Sequence, residues 1–266
     1  MRVYISADLE GVAGVVFPDQ TDKGKPEWEV ARRQLTREVN AAIAGAFEGG
    51  ATQVIAADMH NGSGNFVRET LDPRARYVDG VPHGPRFPFL DKSIGCMFLI
   101  AYHAMAATPG AVLSHTMTGA WASFGINGKP TGEVGIDAAI AGEVSVPVAL
   151  VTGDDKVCRE ARRLLGPIPT AVVKWAAGRN RAMSLSNEVA CEVIRRAARA
   201  ALARVPTLRP LRFKSPLEIT VRHAELKDVQ GVKCDGKTVR RVDDYTIAYR
   251  CASVSEYFGG LWKPAR

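Results

Sequence analysis

The sequence predicts an α/β fold, a mainly parallel helix-covered sheet followed by a smaller α+β C-terminal domain, and three observations carry that expectation. Short apolar runs of strand length recur through the first 150 residues with amphipathic, helix-length segments between them, the order from which parallel sheets are built. The first helical segment stops at Gly49-Gly50, where glycine can take the backbone conformation that ends a helix. After about residue 153 the rhythm changes to two helical segments, a proline-punctuated stretch and then strands. The expected units are therefore residues 1–153 and 154–266.

Element by element, Arg2 to Ala7 reads as a buried strand closing at Asp8, and Trp28 to Phe47 carries apolar residues at helical spacing. Thr52 to Ala57 and Cys96 to Ala101 are the next strands, and Val112 to Met117 is expected as a fourth. Trp121 to Ile126 runs into Asn127-Gly128, a pair suited to a tight hairpin turn. Helix resumes from Glu133 to Glu143, and Val146 to Val151 is a further apolar strand. In the second unit, helices are expected over Asp154 to Leu165 and Ser186 to Val205, a break over Pro206 to Pro216, and strands over Leu217 to Arg222 and Tyr245 to Arg250.

With 266 residues, 46% of them hydrophobic, the chain can bury a full core. The start, MRVYISADLEG, reaches an Asp after a handful of apolar residues, and no stretch has the length of a signal peptide or membrane span. Cys96, Cys158, Cys191, Cys234 and Cys251 are scattered, without C-x-x-C spacing, which speaks against a disulfide framework and against a thiolate metal site. The expectation is a cytoplasmic protein with no membrane partner, in which any metal is held by nitrogen and oxygen. Net charge is +7, unevenly spread: 12 Lys and Arg against 16 Asp and Glu in residues 1–150, then 23 against 12 in residues 151–266. A basic half can serve nucleic acid or acidic partners. Here, however, Arg195, Arg196, Arg199 and Arg204 alternate with Ala and Leu at helical spacing, as on a solvated helix face, and interleaved aromatics are lacking.

Chemistry-bearing residues gather at the strand ends. In open parallel sheets, ligands bind where strands end at their carboxyl edge. Asp8 closes the first strand and Glu10 follows two residues on, so an extended backbone turns both carboxylates the same way. His60 follows the second strand, His103 the third, and His115 lies near the next; His83 and His223 fall in loop-like or unplaced contexts. Each residue has a plainer role open to it: an Asp at a strand end also caps turns, and Glu133, at a helix start, also suits the helix dipole. Asp58, two residues before His60, fits either a turn cap or a group orienting a ligand histidine. Asn127 fits the hairpin turn. Imidazole together with carboxylate is the usual donor set of hydrolytic zinc.

Seven segments in register also resemble a known family. Ser6-Ala7-Asp8-Leu9-Glu10-Gly11-Val12-Ala13-Gly14, Asp58-Met59-His60, Tyr102-His103-Ala104, Thr108-Pro109-Gly110, Ser114-His115-Thr116-Met117, Ile126-Asn127-Gly128 and Gly132-Glu133-Val134-Gly135 look like the D-aminopeptidases of peptidase family M55. The resemblance implies two Zn²⁺ ions per subunit, with Asp8 as bridge, Glu10, His60, His103 and Glu133 as the remaining ligands, and His115 as the catalytic residue. It further implies cleavage of short peptides from a free N-terminus, with D-alanine favoured, and a ring-shaped homo-oligomer, a decamer. Three carboxylates and two neutral imidazoles leave a net +1 against two Zn²⁺, which a bridging hydroxide cancels. Since such a hydroxide is already a nucleophile, His115 is assigned proton transfer or oxyanion stabilisation.

The same ligands suit a two-metal phosphoesterase, and the basic second half leaves a binding protein for nucleic acid or acidic partners as a reading of a different class. The G-x-S-x-G and H-E-x-x-H signatures are absent.

Overall fold

Seven strands form the sheet that the N-terminal alternation predicts. The computed structural model describes residues 1–80 and 85–261, so His83 lies outside the described residues. In chain order the main elements are β1 (Arg2–Ala7), α1 (Pro26–Glu48), β2 (Gln53–Asp58), β3 (Arg76–Val78), β4 (Cys96–Tyr102), β5 (Trp121–Ile126), β6 (Lys129–Pro130) and α2 (Glu133–Glu143). They continue with β7 (Val148–Asp154), α3 (Asp155–Leu165), β8 (Thr170–Gly178), β9 (Arg181–Ser184), α4 (Asn187–Arg204), β10 (Leu217–His223), the short α5 (Lys227–Gln230), β11 (Val239–Arg241) and β12 (Thr246–Cys251).

The large sheet runs β3-β2-β1-β4-β7-β8-β9, parallel throughout except for the antiparallel β8–β9 hairpin. A second, antiparallel sheet runs β11-β12-β10-β5-β6. Strand alternation divides the core between the two faces of the large sheet. Val3, Ile5, Val54, Phe98 and Leu150 point to the face covered by α1 and α4. Tyr4, Ile55, Met97, Leu99 and Val151 point to the other, where α2, α3 and the second sheet pack. Both faces are therefore buried, which is why these strands read as continuous apolar runs.

Residues on both sides of position 153 contribute to each sheet. β8 and β9 extend the first sheet, while β5 and β6 pair with the late strands of the second.

The expected strand from Val112 to Met117 is not formed. This segment is irregular, with positive φ at Leu113 (47°) and Met117 (61°), and only an isolated bridge joins Thr116 to Thr118. Its backbone groups go to scattered partners: Leu113 N–H donates to the Arg179 carbonyl (3.0 Å) and Met117 N–H to the Glu133 carboxylate (2.7 Å). Val112 and Leu113 are buried as anchors of a loop, a role whose apolar signature equals that of a short strand.

The topology fixes where a site can lie. The chain places β2 and β3 on one side of β1, then returns to place β4, β7 and β8 on the other, so the switch point falls between β1 and β4. The loops after β1, β2 and β4 meet at the carboxyl edge of that crevice. No helix of the described residues is long and apolar enough to cross a membrane.

Helices α1 and α4 cross where Gly45 faces α4, and a Cβ at that position would come within 2.2 Å of the Arg195 carbonyl oxygen. Gly45→Ala gains about 1 kcal/mol of helix propensity. It also forces two helices apart, and overpacking of that kind costs about 1–3 kcal/mol. The immovable neighbour is backbone, so the loss wins: Gly45→Ala is expected to lower the free energy of unfolding, read by urea denaturation. An unchanged or raised midpoint would show that the crossing is looser than the geometry requires.

Candidate metal centre

Five of the six sequence candidates are buried and the sixth, His115, is partly exposed, and all meet in one place. Asp8 is the first residue beyond β1, His60 lies two residues beyond β2, His103 is the first residue beyond β4, and Glu133 opens α2. His60 Nδ1 lies 3.1 Å from both Asp8 Oδ1 and Glu10 Oε2. His103 Nε2 lies 3.4 Å from Asp8 Oδ2 and 3.2 Å from Glu133 Oε1. The ring of His115 stacks on that of His103 with centroids 4.0 Å apart, and its Nε2 lies 3.7 Å from Glu133 Oε1.

Each histidine is held from behind by a backbone carbonyl. His60 Nε2 faces the Thr21 oxygen at 2.9 Å, His103 Nδ1 the Ala104 oxygen at 3.0 Å and His115 Nδ1 the Leu113 oxygen at 3.0 Å. A carbonyl only accepts, so the nitrogen touching it carries the proton. The opposite nitrogen of all three rings faces the carboxylates and is the one that can give up its proton to bind a cation. Backbone tethers of this kind fix the tautomer in metal-binding histidines.

Three carboxylates in a buried pocket repel one another, and the titration behaviour reflects it. Burial, reinforced by the Glu10 charge, raises the Asp8 pKa to about 7. Burial opposes charge on His60, but the Glu10 charge and the hydrogen bonds to Asp8 and Glu10 prevail and carry it to about 12. His103 likewise rises well above its usual range, against burial, through the charge of Glu133 and the hydrogen bond to it. Glu133 in turn falls to about 2, its burial outweighed by His103. Protons on two imidazoles thus hold three carboxylates together, and a divalent cation would replace those protons.

The donor set fits such a cation. Asp8 Oδ2, Glu10 Oε2 and His103 Nε2 are buried and face only other members of the cluster, and ligand atoms of Asp8, Glu10 and His103 lie within 4.8 Å of one another. A second group within the same distance joins His103, His115 and Glu133. His103 is common to both. All six donors are nitrogen or oxygen.

The remaining sequence candidates have structural roles. Glu133 is not a cap: Gly132 takes the cap position, and Glu133 Oε1 turns inward to accept from Met117 N–H. Asp58 accepts from His60 N–H at 3.3 Å and from Asn65 N–H at 2.6 Å, so it shapes the loop that carries His60 and leaves the ring to Thr21. Asn127 and Gly128 both have positive φ, and the Asn127 side chain bridges the Lys214 carbonyl and the Glu218 N–H, pinning the start of β10.

Sequence reasoning missed Thr21, Asn65, Arg86 and Asp137. Thr21 acts through its carbonyl and leaves no side-chain signal. Asn65 donates to Asp58 and to the His60 carbonyl, while its oxygen accepts from Trp28 Nε1. Asp137 was legible in principle, since it sits four residues after Glu133 on the same helix face. Arg86 grips it with Nε at 2.6 Å and Nη2 at 3.1 Å, and lies 3.9 Å from Glu133 Oε2. Tyr102 donates to Asp137 at 2.5 Å and accepts from Ser6, so the network reaches back to β1.

A doubly covered parallel sheet with three imidazoles and three carboxylates gathered at its switch point is an arrangement suited to a metallohydrolase. The chain belongs to the Peptidase_M55 family, the D-aminopeptidases, whose family model matches residues 1–262. It is 37% identical over 264 residues to a D-aminopeptidase of Bacillus subtilis (strain 168), covering 98% of this chain and 95% of that protein. In structure it is similar to a protein described as the zinc-dependent D-aminopeptidase DppA from Bacillus subtilis, a self-compartmentalizing protease. That match has a TM-score of 0.92 at 29% identity and covers 98% and 96% of the two chains.

Removing the Arg86 guanidinium strands the fully buried Asp137 carboxylate. Arg86→Met is therefore expected to lower stability by about 3–5 kcal/mol, the range for breaking a buried pair from one side. Denaturant unfolding of the metal-free protein measures it, and a loss under 1 kcal/mol would show that Asp137 finds another partner.

Proposed function

We propose that the chain is a zinc-dependent aminopeptidase that releases residues from the free N-terminus of short peptides, with D-amino acids, D-alanine foremost, as preferred substrates. The observation that carries the reading is the arrangement of three carbonyl-tethered histidines whose free nitrogens converge on three buried carboxylates. The preference for D-residues and for zinc is supported by the names of the two Bacillus subtilis relatives.

In this reading Asp8, Glu10, His60, His103 and Glu133 would together hold two zinc ions. Two zinc ions so held supply a Lewis acid for the scissile carbonyl, an anchor for the substrate amine and a water of lowered pKa. The protein's own contribution is to fix the donors and to move protons. His115 is suited to the second task. Its Nδ1–H is tied to Leu113, and burial together with the neighbouring His103 lowers its pKa, so its ring is neutral at pH 7. Its Nε2 can accept a proton from the attacking water and return it to the leaving amine. The side chain is 24% exposed, the most open of the cluster, as a group that meets substrate needs to be.

A second role for His115 has its own support, because its ring nitrogen falls within 4.8 Å of ligand atoms of both His103 and Glu133. Metal analysis separates the two. Wild type is expected to hold about two zinc ions, and Asp8→Ala to lose metal and turnover together. His115→Ala is expected to keep its metal and lose kcat by about 10²–10⁴-fold, the usual weight of an acid–base group. Metal loss in His115→Ala would make it a ligand. Failure of the zinc-loaded enzyme to release alanine from D-Ala-D-Ala and longer D-Ala peptides, with turnover of L-Ala peptides instead, would reverse the stereochemical assignment.

The same reading takes the assembly to be a homo-oligomeric ring, up to a decamer, on the strength of near-complete alignment with a self-compartmentalizing relative. Light scattering is expected to give a mass several times the 28.7 kDa of one chain, and a monomer mass would reject the ring. The five free cysteines suit a reducing compartment such as the cytoplasm.

A further inference from the structure

Lys174 is fully buried on β8, outside the ligand cluster, and its charge is spent on backbone. Its Nζ donates to the carbonyls of Glu10, of Val12 at 2.9 Å and of Val15 at 2.6 Å. All three protons of the ammonium are used. The loop it holds is the one that leaves β1 carrying Asp8 and Glu10. Other contacts fix the same loop: Ala13 N–H donates to Glu38 Oε1 of α1 at 2.9 Å, and Gly11 N–H to the Ala101 carbonyl at 2.7 Å. Gly11 lies so close that a Cβ would come within 2.2 Å of the Ala101 and Tyr102 backbone.

We propose that Lys174 is a positioning residue of the metal centre, whose ammonium gathers the carbonyls of Glu10, Val12 and Val15 and so sets the direction in which the Glu10 carboxylate projects toward His60. The inference rests on the reading of Glu10 as a ligand. Its physical basis is the planar peptide: the Glu10 carbonyl cannot rotate without turning the Glu10–Gly11 peptide plane, and the Glu10 side chain departs from the same backbone. Three buried carbonyls converging on one point are tolerated only around a donor with three divergent hydrogens. An ammonium supplies them. A Gln amide has two donors, Met none, and the planar fork of Arg directs its hydrogens elsewhere. Burial lowers the Lys174 pKa to about 8, and the negative charges of Asp154 and Glu38 limit that fall.

Zinc affinity, measured by competition with a chromophoric chelator, tests the role independently of turnover. The proteins compared are wild type, Lys174→Gln, Lys174→Met and a stability control, Leu202→Ala. Leu202 packs on Gly49, about 16 Å along α1 from Glu38. Lys174→Gln and Lys174→Met are expected to bind zinc at least about ten-fold more weakly than wild type, as for other groups that orient ligands. Leu202→Ala is expected to unfold at lower temperature yet keep wild-type affinity. Lys174→Gln keeps a polar side chain with two of the three donors, so it carries the test if Lys174→Met does not fold. Wild-type affinity in Lys174→Gln overturns the positioning role and leaves Glu10 a ligand. An equal affinity loss in Leu202→Ala overturns it too, because general destabilisation would then suffice. Absence of zinc binding by wild type rejects the ligand reading itself, and the inference with it.

Discussion

The mutual repulsion of Asp8, Glu10 and Glu133, buried together at the sheet edge, is the constraint around which this protein is built. Burying even one carboxylate without a partner is costly, and three in one pocket demand positive charge from somewhere. In the metal-free pocket that charge is protons on His60 and His103. Arg86 faces Glu133 from outside the pocket, and Lys174 holds the loop that delivers Glu10. Among the described residues the other cations next to the cluster are occupied, Arg86 by Asp137 and Lys174 by carbonyls, so the charge balance of the pocket falls to its own histidines or to a bound cation.

The sheet explains how such an unfavourable grouping can be assembled at all. Strand pairing sets β1 between β2 and β4 in fixed register, and both faces of the sheet are packed, so the strand ends cannot drift apart. Burial of those strands supplies free energy far from the site. The basic surplus of the later chain is partly absorbed in the same architecture. Arg195 on α4 pairs with Glu48 on α1 and with Glu192 on its own helix, and Arg240 pairs with Glu218 across the second sheet. Of these pairs, Arg195 with Glu48 joins the basic half to the acidic one, and the other two lie within the later chain.

Much of this could be read from the chain because the determinants are local. Asp8, His60 and His103 announce themselves as polar residues closing apolar runs, and strand period and helix spacing locate those runs. The family resemblance added Glu133, for which the residues alone leave a helix cap open. What escaped the sequence acts through backbone or across long separations. Thr21 orients His60 by its carbonyl, and Lys174 reaches the Glu10 loop from more than 150 residues away. The segment from Val112 to Met117 misleads because apolar residues anchoring a loop alternate like those of a strand. The second sheet likewise recruits β5 from before residue 153 and cedes β8 and β9 to the first, a pairing that no local pattern encodes.

Backbone conformation around the pocket shows what fixing it requires. Left-handed φ angles occur at Asn61 and Ser63 just after His60, at Ala101 two residues before His103, and at Leu113 and Met117 on either side of His115. Each such residue costs about 1–3 kcal/mol and persists only where its surroundings leave no alternative. The surroundings are identifiable. The Ala101 carbonyl accepts from Gly11 and its N–H donates to Thr152, so the turn before His103 is tied to the Glu10 loop and to β7 at once. Met117 N–H is held by Glu133, which makes one carboxylate both a candidate ligand and the anchor of the loop that presents His115. The strained turns and the charged cluster therefore support each other. Loss of Glu133 would free the His115 loop as well as remove a candidate ligand, and for that reason its substitution cannot be read as the removal of a ligand alone.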